Sequence, residues 1–444
     1  MKKFKAAPVI PLILALALNV SPGLAAPAPD FLAEAVCLAE ASTGEILYEK
    51  NADARRGPDA LVKIMTLLLA AEAVESGEVS RSETVDDTGS AFYGMTFADL
   101  LRCAYIGGDD GACNAIAGRV SGGTEAFVAA MNARAEELGC SGTRFANAHG
   151  APDAAQYTTA RDMSAIVRAA AGNALFTEIA SARSYDVPAA GESAARRLSN
   201  ANYMIIPSRE RYYYKYAVFG GISATYENGC GCAAFAEREE FSAVAVVLGA
   251  RAILLEDQST EMQNLTEARR LFEWGFSNYS RRDVISSREL VARAEVAFGS
   301  GADYVNLRPD RNVTLLLPTE LGEDDISRET RVYSEEAGEP VRAPVEAGEE
   351  LGEIIVSRGG RELARAKLVA DSAVPLLRAK FIRKLAADAL RSRWAKIIGS
   401  AAAALFLAYA AIVVRYNIIR ARRVKRINDV KRRIAEERRR GGDE

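Results

Sequence analysis

The residues of this chain with the clearest chemical meaning are Ala60 and Lys63, in the segment Gly-Pro-Asp-Ala-Leu-Val-Lys-Ile-Met-Thr that begins at Gly57. Three residues span about one helical turn, so both side chains are expected on one helix face. A serine at position 60 would lie within hydrogen-bond reach of the lysine, the pairing that activates the nucleophile in Ser-x-x-Lys sites. Because alanine stands there, the segment indicates a covalent catalyst without its nucleophile.

Blocks of sequence around this segment resemble the low-molecular-weight D-alanyl-D-alanine carboxypeptidases, which are penicillin-binding proteins, and they occur in that family's order. They are residues 51–56, 131–135, 145–150 and 157–163. The similarity runs from about residue 30 to about residue 370. It implies an α+β fold of the β-lactamase/transpeptidase type, with helices on an antiparallel sheet, followed by a small all-β domain.

Two further motifs implied by the resemblance are altered as well. Gly108 stands for the serine and Asp110 for the asparagine of the Ser-x-Asn motif. The Lys-Thr-Gly motif falls in the segment 219–226, where two registers are possible and neither supplies a lysine. Its degenerate positions are Ile222, Ser223 and Ala224.

In active relatives the serine attacks the D-Ala-D-Ala carbonyl, the first lysine acts as base and the strand lysine holds the substrate carboxylate. All three roles are vacant or altered in this chain. We therefore expect a homologue without acyl-enzyme catalysis, in which Lys63 is the remnant of the general base.

Another nucleophile is the alternative, and it would make the chain an active serine-type carboxypeptidase with a rearranged site. Ser223 and Thr66 are the nearby hydroxyls, and each would need a base held next to it. His149 is the single histidine of the chain, and we interpret it as a ring satisfied by neighbouring backbone rather than as a catalytic group. One histidine with scattered cysteines does not favour a zinc site, and we expect neither a metal nor a cofactor.

The resemblance also gives Lys63 a new partner, because the family's motif asparagine lies close to the first lysine. With Asp110 at that position, we hypothesise an ion pair between Lys63 and Asp110. A carboxylate partner favours the charged ammonium and opposes a role as base, which would make the lysine structural.

The N-terminus has the three-part pattern of a secretory signal peptide. Three lysines within the first five residues precede an apolar run at 6–18, and small residues follow. We predict a signal peptide over residues 1–26, cleaved after Ala25 or Ala26. A retained anchor is the alternative, although the apolar run is short for a membrane span.

The remainder of the 444-residue chain is long enough for two domains. We predict a carboxypeptidase-like domain at 30–280, a C-terminal β domain at 282–372, a basic amphipathic stalk at 376–396, a transmembrane helix at 397–414 and a basic cytoplasmic tail at 415–444. The uncharged run at 397–414 is just long enough to cross a bilayer, and a buried amphipathic helix is its alternative.

The tail carries twelve basic and five acidic residues, so the positive-inside rule and the signal peptide together place it in the cytoplasm and the large domain outside the cell membrane. We expect the transmembrane helix and tail to contact membrane lipids. The net charge of the whole chain is −3, which leaves the rest acidic and does not favour nucleic-acid binding.

Six cysteines lie in the part of the chain predicted to be extracytoplasmic, where disulfides are permitted. Six cysteines allow fifteen complete pairings, and sequence cannot choose among them. Cys103 and Cys113 flank the degenerate second motif, and we hypothesise a bridge between them. Cys232 matches a position where relatives often have a buried cysteine, so we expect it to pack.

Apolar spacing predicts a series of helices and strands. An early hairpin is expected at 34–48, helices at 61–76, 97–106, 114–120, 124–138, 161–171 and 260–279, and strands at 232–236, 242–248, 305–307, 313–317, 330–333 and 353–356.

The leading hypothesis is a membrane-anchored, extracytoplasmic carboxypeptidase homologue that binds peptidoglycan stem peptide or a cell-wall enzyme. A transmembrane scaffold whose cytoplasmic tail matters most is a further possibility, since fold similarity does not by itself decide function.

Overall fold

The computed structural model describes residues 29–86, 90–190, 194–225, 229–239, 241–255 and 260–440. The predicted signal peptide at 1–26 lies outside this part of the chain. Two compact units are present: the first comprises Met1–Arg282 with Thr314–Glu323, and the second comprises Asp283–Val313 with Asp324–Glu444.

The first unit combines a central sheet with helices. Its strands are β1 (Ala35–Glu40), β2 (Ile46–Lys50), β3 (Ser184–Val187), β4 (Arg196–Ser199), β5 (Ala217–Thr225), β6 (Gly229–Arg238), β7 (Phe241–Ala250), β8 (Ala252–Leu254) and β9 (Thr260–Met262). Its helices are α1 (Val62–Glu75), α2 (Phe97–Tyr105), α3 (Asp110–Ser121), α4 (Thr124–Glu137), α5 (Ala160–Ala171), α6 (Ala174–Ala180) and α7 (Gln263–Asn278).

Five of these strands form an antiparallel sheet in the order β2-β1-β7-β6-β5. Strand β1 is buried along its whole length, and its residues alternate between two apolar clusters. Ala35 and Cys37 pack in the cluster that contains α1–α6, whereas Val36 and Leu38 pack in the cluster that contains α7. Since successive strand side chains point to opposite faces, the sheet lies between two helical layers.

The turn after β1 is held by the buried carboxylate of Glu40. It accepts hydrogen bonds from the hydroxyls of Ser42 and Thr43, each at 2.7 Å, and pairs with Arg281 at 3.0 Å. Burial of the carboxyl opposes its ionisation, but the bonds from Thr43 and Ser42 outweigh it and hold the pKa of Glu40 below its ordinary value.

The second unit is mainly β-structure followed by two helices. Strand β10 (Tyr279–Ile285) leads into it, and the strands within it are β11 (Ala292–Ala297), β12 (Tyr304–Pro309), β14 (Ser327–Val332), β15 (Val341–Arg342), β16 (Glu350–Arg358) and β17 (Arg361–Ala370). Strand β13 (Val313–Pro318) belongs to the first unit from Thr314 onward. The six strands within the second unit form a sheet in the order β14-β16-β17-β12-β11-β15. The helices are α8 (Tyr333–Ala337), α9 (Arg378–Arg391) and α10 (Arg393–Arg440).

Helix α10 contains the predicted spanning segment. Among the described residues it is the helix long and apolar enough to cross a membrane, with a mean hydropathy of 2.4 in its most apolar window, none of which is buried. The alternative of a buried amphipathic helix at 397–414 is therefore wrong. Aromatic residues flank the apolar stretch, with exposed Trp394 before it and exposed Tyr416 after it.

The hypothesised bridge between Cys103 and Cys113 is wrong, because all six cysteines are free and buried. The Cys103 thiol lies 3.8 Å from the sulfur of Met95 instead and accepts a hydrogen bond from Arg196 at 3.6 Å. Burial raises the pKa of Cys37 to about 11 and that of Cys113 to about 12. Cys232 is buried as expected.

Candidate functional site

Ala60 lies in a single 3-10 turn, Asp59–Leu61, that runs directly into α1. The turn is pressed against the segment that carries His149. A Cβ on Gly150, whose φ is +91°, would come within 2.2 Å of the Asp59 carbonyl oxygen. Glycine adopts this φ without strain, and because it has no Cβ it avoids a clash with the carbonyl. The close approach therefore fixes the turn that holds Ala60.

Lys63 stands in the first turn of α1, and two hydrogen bonds are described for its ammonium group. The Nζ atom lies 2.6 Å from Oδ1 of Asp110 and also donates a hydrogen bond to the backbone carbonyl of His149. The Lys63 side chain is 10% exposed, whereas that of Asp110 is 58% exposed. The hypothesised ion pair is therefore present, and it joins the starts of two helices and a loop.

His149 is tied to local backbone, as its structural interpretation requires. Its Nδ1 accepts a hydrogen bond from the Ala151 amide at 3.2 Å. The same atom lies 3.9 Å from Oδ2 of Asp110, but a nitrogen that accepts the Ala151 proton carries none to offer the carboxylate. Thr66 is likewise committed, since its hydroxyl donates to the Ala148 carbonyl at 2.5 Å.

The predicted second motif has a glycine in a left-handed backbone conformation. Gly108 has a φ of +67°, in the left-handed region, although a Cβ there would meet no atom within 4 Å. A serine would have room but would be strained in this conformation. The next residue, Asp109, caps α3 by accepting the Ala112 amide at 3.1 Å, which places Asp110 in the first turn of that helix.

The third degenerate motif lies on β5, the outermost strand at its side of the five-stranded sheet. Ile222, Ser223 and Ala224 are paired with Cys232, Gly231 and Cys230 of β6. The side chains of these three positions are outside the part of the structure that is described, so the assignment of the motif to them stays a prediction.

A cleft of about 240 Å³ brings most of these elements together. It is lined by Ala60, Lys63, Tyr105, Ile106, Gly107, Gly108, Ser199, Asn200, Ala201, Asn202, Gly220 and Gly221. The structure thus places Ala60, Lys63 and Gly108 around one opening, and Asp110 is bound to the lysine.

Sequence reasoning missed one wall of this cleft, the segment from Ser199 to Asn202. Asn200 is buried and donates hydrogen bonds to the carbonyls of Ala180 and Ala182. The side-chain Oδ1 of Asn202 accepts a hydrogen bond from the Met204 amide at 3.1 Å. Two asparagines spaced by one residue directly after β4 were the available signal, because buried asparagines outside helices and strands commonly hold backbone groups.

The hydrogen bonds described for Lys63 go to a carboxylate and a carbonyl oxygen, and neither partner is a hydroxyl. Among the described residues, no group of three histidine, cysteine, aspartate or glutamate side chains is placed to hold a metal ion. What the cleft offers is shape and hydrogen-bonding groups.

Comparison with known proteins identifies the scaffold. The family profile described as D-alanyl-D-alanine carboxypeptidase matches residues 23–252, just over half of the 444-residue chain. A second profile, described as penicillin-binding protein 5, C-terminal domain, matches residues 279–376.

Relatives and solved structures agree with these matches. The chain is 26% identical over 354 residues to the D-alanyl-D-alanine carboxypeptidase DacF of Bacillus subtilis, covering 76% of this chain and 85% of the relative. It is also 26% identical over 368 residues to DacA of Escherichia coli, covering 78% and 85%.

Two crystal structures match in fold, which confirms the predicted fold class. Penicillin binding protein 5 from Haemophilus influenzae has a TM-score of 0.57 at 21% identity and covers 79% of this chain and 99% of that one. Penicillin binding protein 6B from Escherichia coli has a TM-score of 0.58 at 20% identity with the same coverage. The chain therefore belongs to the D-alanyl-D-alanine carboxypeptidase family of penicillin-binding proteins, which acts in peptidoglycan metabolism.

Proposed function

We propose that this protein is a membrane-anchored, extracytoplasmic member of the family that has lost acyl-enzyme catalysis and acts by binding wall peptide or a cell-wall enzyme. The observation that carries the proposal is the state of Lys63. It stands where the family's base would stand, beside an alanine, and it is bonded to Asp110 and to the His149 carbonyl.

Independent changes support the loss of catalysis. Ala60 has no hydroxyl, and the left-handed backbone of Gly108 disfavours a serine at the second motif. The segment 217–225 that forms β5 contains no lysine or arginine. A single reverse substitution would therefore restore one catalytic part and leave the others missing.

Binding remains chemically reasonable because the cleft is open. Its volume of about 240 Å³ is a little below the roughly 300–1,000 Å³ usual for drug-sized ligands, so it suits one or two residues of a peptide. Relatives named D-alanyl-D-alanine carboxypeptidases act on peptides of this kind, and we extend that ligand class to this chain.

Membrane anchoring is proposed through α10. Its apolar stretch begins after Lys396 and ends before Arg415, and twelve basic residues follow it. Because the stalk before it is basic too, the orientation rests on the predicted signal peptide together with the positive-inside rule, which put the tail in the cytoplasm in this proposal. With the predicted signal peptide, the carboxypeptidase-like domain at 30–280 and the β domain at 282–372 are then outside, joined to the membrane by the stalk at 376–396.

Fluorescent-penicillin labelling of the full-length protein in detergent, read on a denaturing gel, tests the loss of catalysis. We expect no labelled band for the natural protein, with an active family member as positive control. An Ala60→Ser variant and an Ala60→Ser/Asp110→Asn variant would be run beside it. The second releases Lys63 from its carboxylate and should label more readily if the cleft still admits the drug.

A labelled band for the natural protein would contradict the proposal. It would favour the alternative, an active serine-type carboxypeptidase with a rearranged nucleophile, and peptide mapping of the labelled residue would identify that nucleophile.

A further inference from the structure

We propose that the cleft binds a peptide whose carboxyl end is blocked, as an amide or in a cross-link, in preference to a peptide that ends in a free carboxylate. The inference rests on the proposed function, since it specifies which form of wall peptide the cleft would hold.

The first reason for this preference is the electrostatics of the cleft. Of the residues that line it, Lys63 is the one with a full positive charge, and Asp110 compensates that charge at 2.6 Å. Arg196 on the neighbouring strand β4 lies 4.0 Å from Asp109 and does not line the cleft. The described cleft therefore presents no uncompensated cation.

The second reason is the cost of removing a carboxylate from water. A carboxylate that leaves water loses strong hydration, and a site recovers this free energy only with charged or multiple hydrogen-bond donors. The segment 217–230, which includes β5, contains no lysine or arginine in its sequence. An uncharged amide at the same place has a much smaller desolvation cost.

The hydrogen-bonding groups beside the cleft are uncharged. Asn202 is 1% exposed, and its Nδ2 has no hydrogen-bond partner among the described residues. This nitrogen lies 3.0 Å from the position that a Cβ on Gly220 would occupy, so it adjoins the glycine pair of β5. Since β5 is an outermost strand, its backbone can pair with an extended peptide, which needs no charge on either partner.

A pair of matched peptides tests the preference. Diacetyl-L-lysyl-D-alanyl-D-alanine with a free carboxylate and the same peptide as its C-terminal carboxamide would be titrated into the full-length protein in detergent, with calorimetry as the readout. We expect the carboxamide to bind on the order of tenfold more tightly, the difference typical of leaving a charged group without its partner.

Two variants test the stated cause. Asp110→Asn leaves the charge of Lys63 uncompensated, so the carboxylate peptide should gain roughly tenfold relative to the carboxamide. Asp109→Asn is the matched control, because it removes a neighbouring negative charge that does not contact Lys63 and asparagine also caps helices well. This control should leave the ratio of the two affinities unchanged.

The outcomes separate the two levels of the proposal. Equal or tighter binding of the free carboxylate by the natural protein overturns the preference while leaving peptide binding intact. If Asp110→Asn and Asp109→Asn shift the ratio of the two peptide affinities equally, the role given to the pair of Lys63 and Asp110 is overturned. Absence of binding for both peptides refutes peptide binding by this cleft, and the preference with it.

Discussion

The ion pair between Lys63 and Asp110 is the feature whose energetics can be tested most sharply. The cycle consists of Lys63→Met, Asp110→Asn and the double variant. Methionine keeps most of the aliphatic length of lysine, and asparagine keeps the shape of aspartate. The two single changes should affect the free energy of unfolding for different reasons, because the lysine side chain is 10% exposed and the aspartate side chain is 58% exposed.

Replacing the aspartate by asparagine leaves an almost buried ammonium with neutral acceptors only, the His149 carbonyl and the side-chain oxygen that asparagine keeps. Loss of one partner of a fully buried pair costs about 3–5 kcal/mol, and loss of an exposed pair costs about 0–1 kcal/mol. With one side chain buried and the other half-exposed, we expect the Asp110→Asn change to lower the free energy of unfolding by about 1–2 kcal/mol.

Removing the lysine should cost less than that, because the exposed Asp110 can be hydrated and the buried charge disappears. Once Lys63 is methionine, the Asp110→Asn change should have almost no further effect. The predicted coupling free energy of the cycle is therefore about 1–2 kcal/mol, well above the roughly 0.3–0.5 kcal/mol by which independent sites depart from additivity.

The assay can report on the first unit alone. The chain has two tryptophans, Trp274 in the core of that unit and Trp394 in α10. In a Trp394→Phe background, urea unfolding followed by fluorescence in detergent measures the unit that contains the pair. The Asp109→Asn variant controls for the loss of a negative charge at the start of α3. Additive single changes would refute the reasoning.

Three further results are expected. Gly150→Ala should destabilise the first unit severely, because its Cβ would clash with the Asp59 carbonyl. Gly122→Ala, at a φ of +75° with open space around it, should cost only about 1–2 kcal/mol of backbone strain. Thermal unfolding of the two variants measures the difference. The six buried thiols should resist iodoacetamide at pH 8 in the native protein and react fully after unfolding without reductant, as mass spectrometry would show; fewer than six modified cysteines would mean that disulfides exist. Because the folded pKa of Glu40 is depressed from 4.5, its contribution to stability should be complete above that pH and lost as the pH falls below it; Glu40→Gln should flatten the urea-unfolding profile there, and an unchanged slope would contradict this role.

Local spacing predicted most helices and strands well. The helix predicted at 97–106 is α2 (Phe97–Tyr105), and the one predicted at 124–138 is α4 (Thr124–Glu137). The helix predicted at 114–120 begins four residues earlier, since Asp109 caps it. The helix predicted from residue 260 begins at Gln263 because β9 occupies the residues before it. Hairpin β3–β4 escaped prediction, since its short strands are largely exposed and show little alternation.

The sequence by itself determined the identity of the missing groups. Alanine at position 60, glycine at 108 and the absence of lysine from β5 are facts of composition at positions that the neighbouring blocks locate, and no fold can supply a hydroxyl or an ammonium that the chain does not encode.

Only the tertiary structure decided what the remaining groups do. Lys63 and Asp110 are 47 residues apart, and the wall from Ser199 to Asn202 comes from a still more distant segment. The sequence permits a disulfide between the two cysteines that flank the second motif, yet in the structure each of them is free and buried. Such outcomes depend on which backbone segments pack closely against each other, as at Gly150, and on which charged side chains are buried away from water. These are properties of packing between distant segments, which local spacing does not contain.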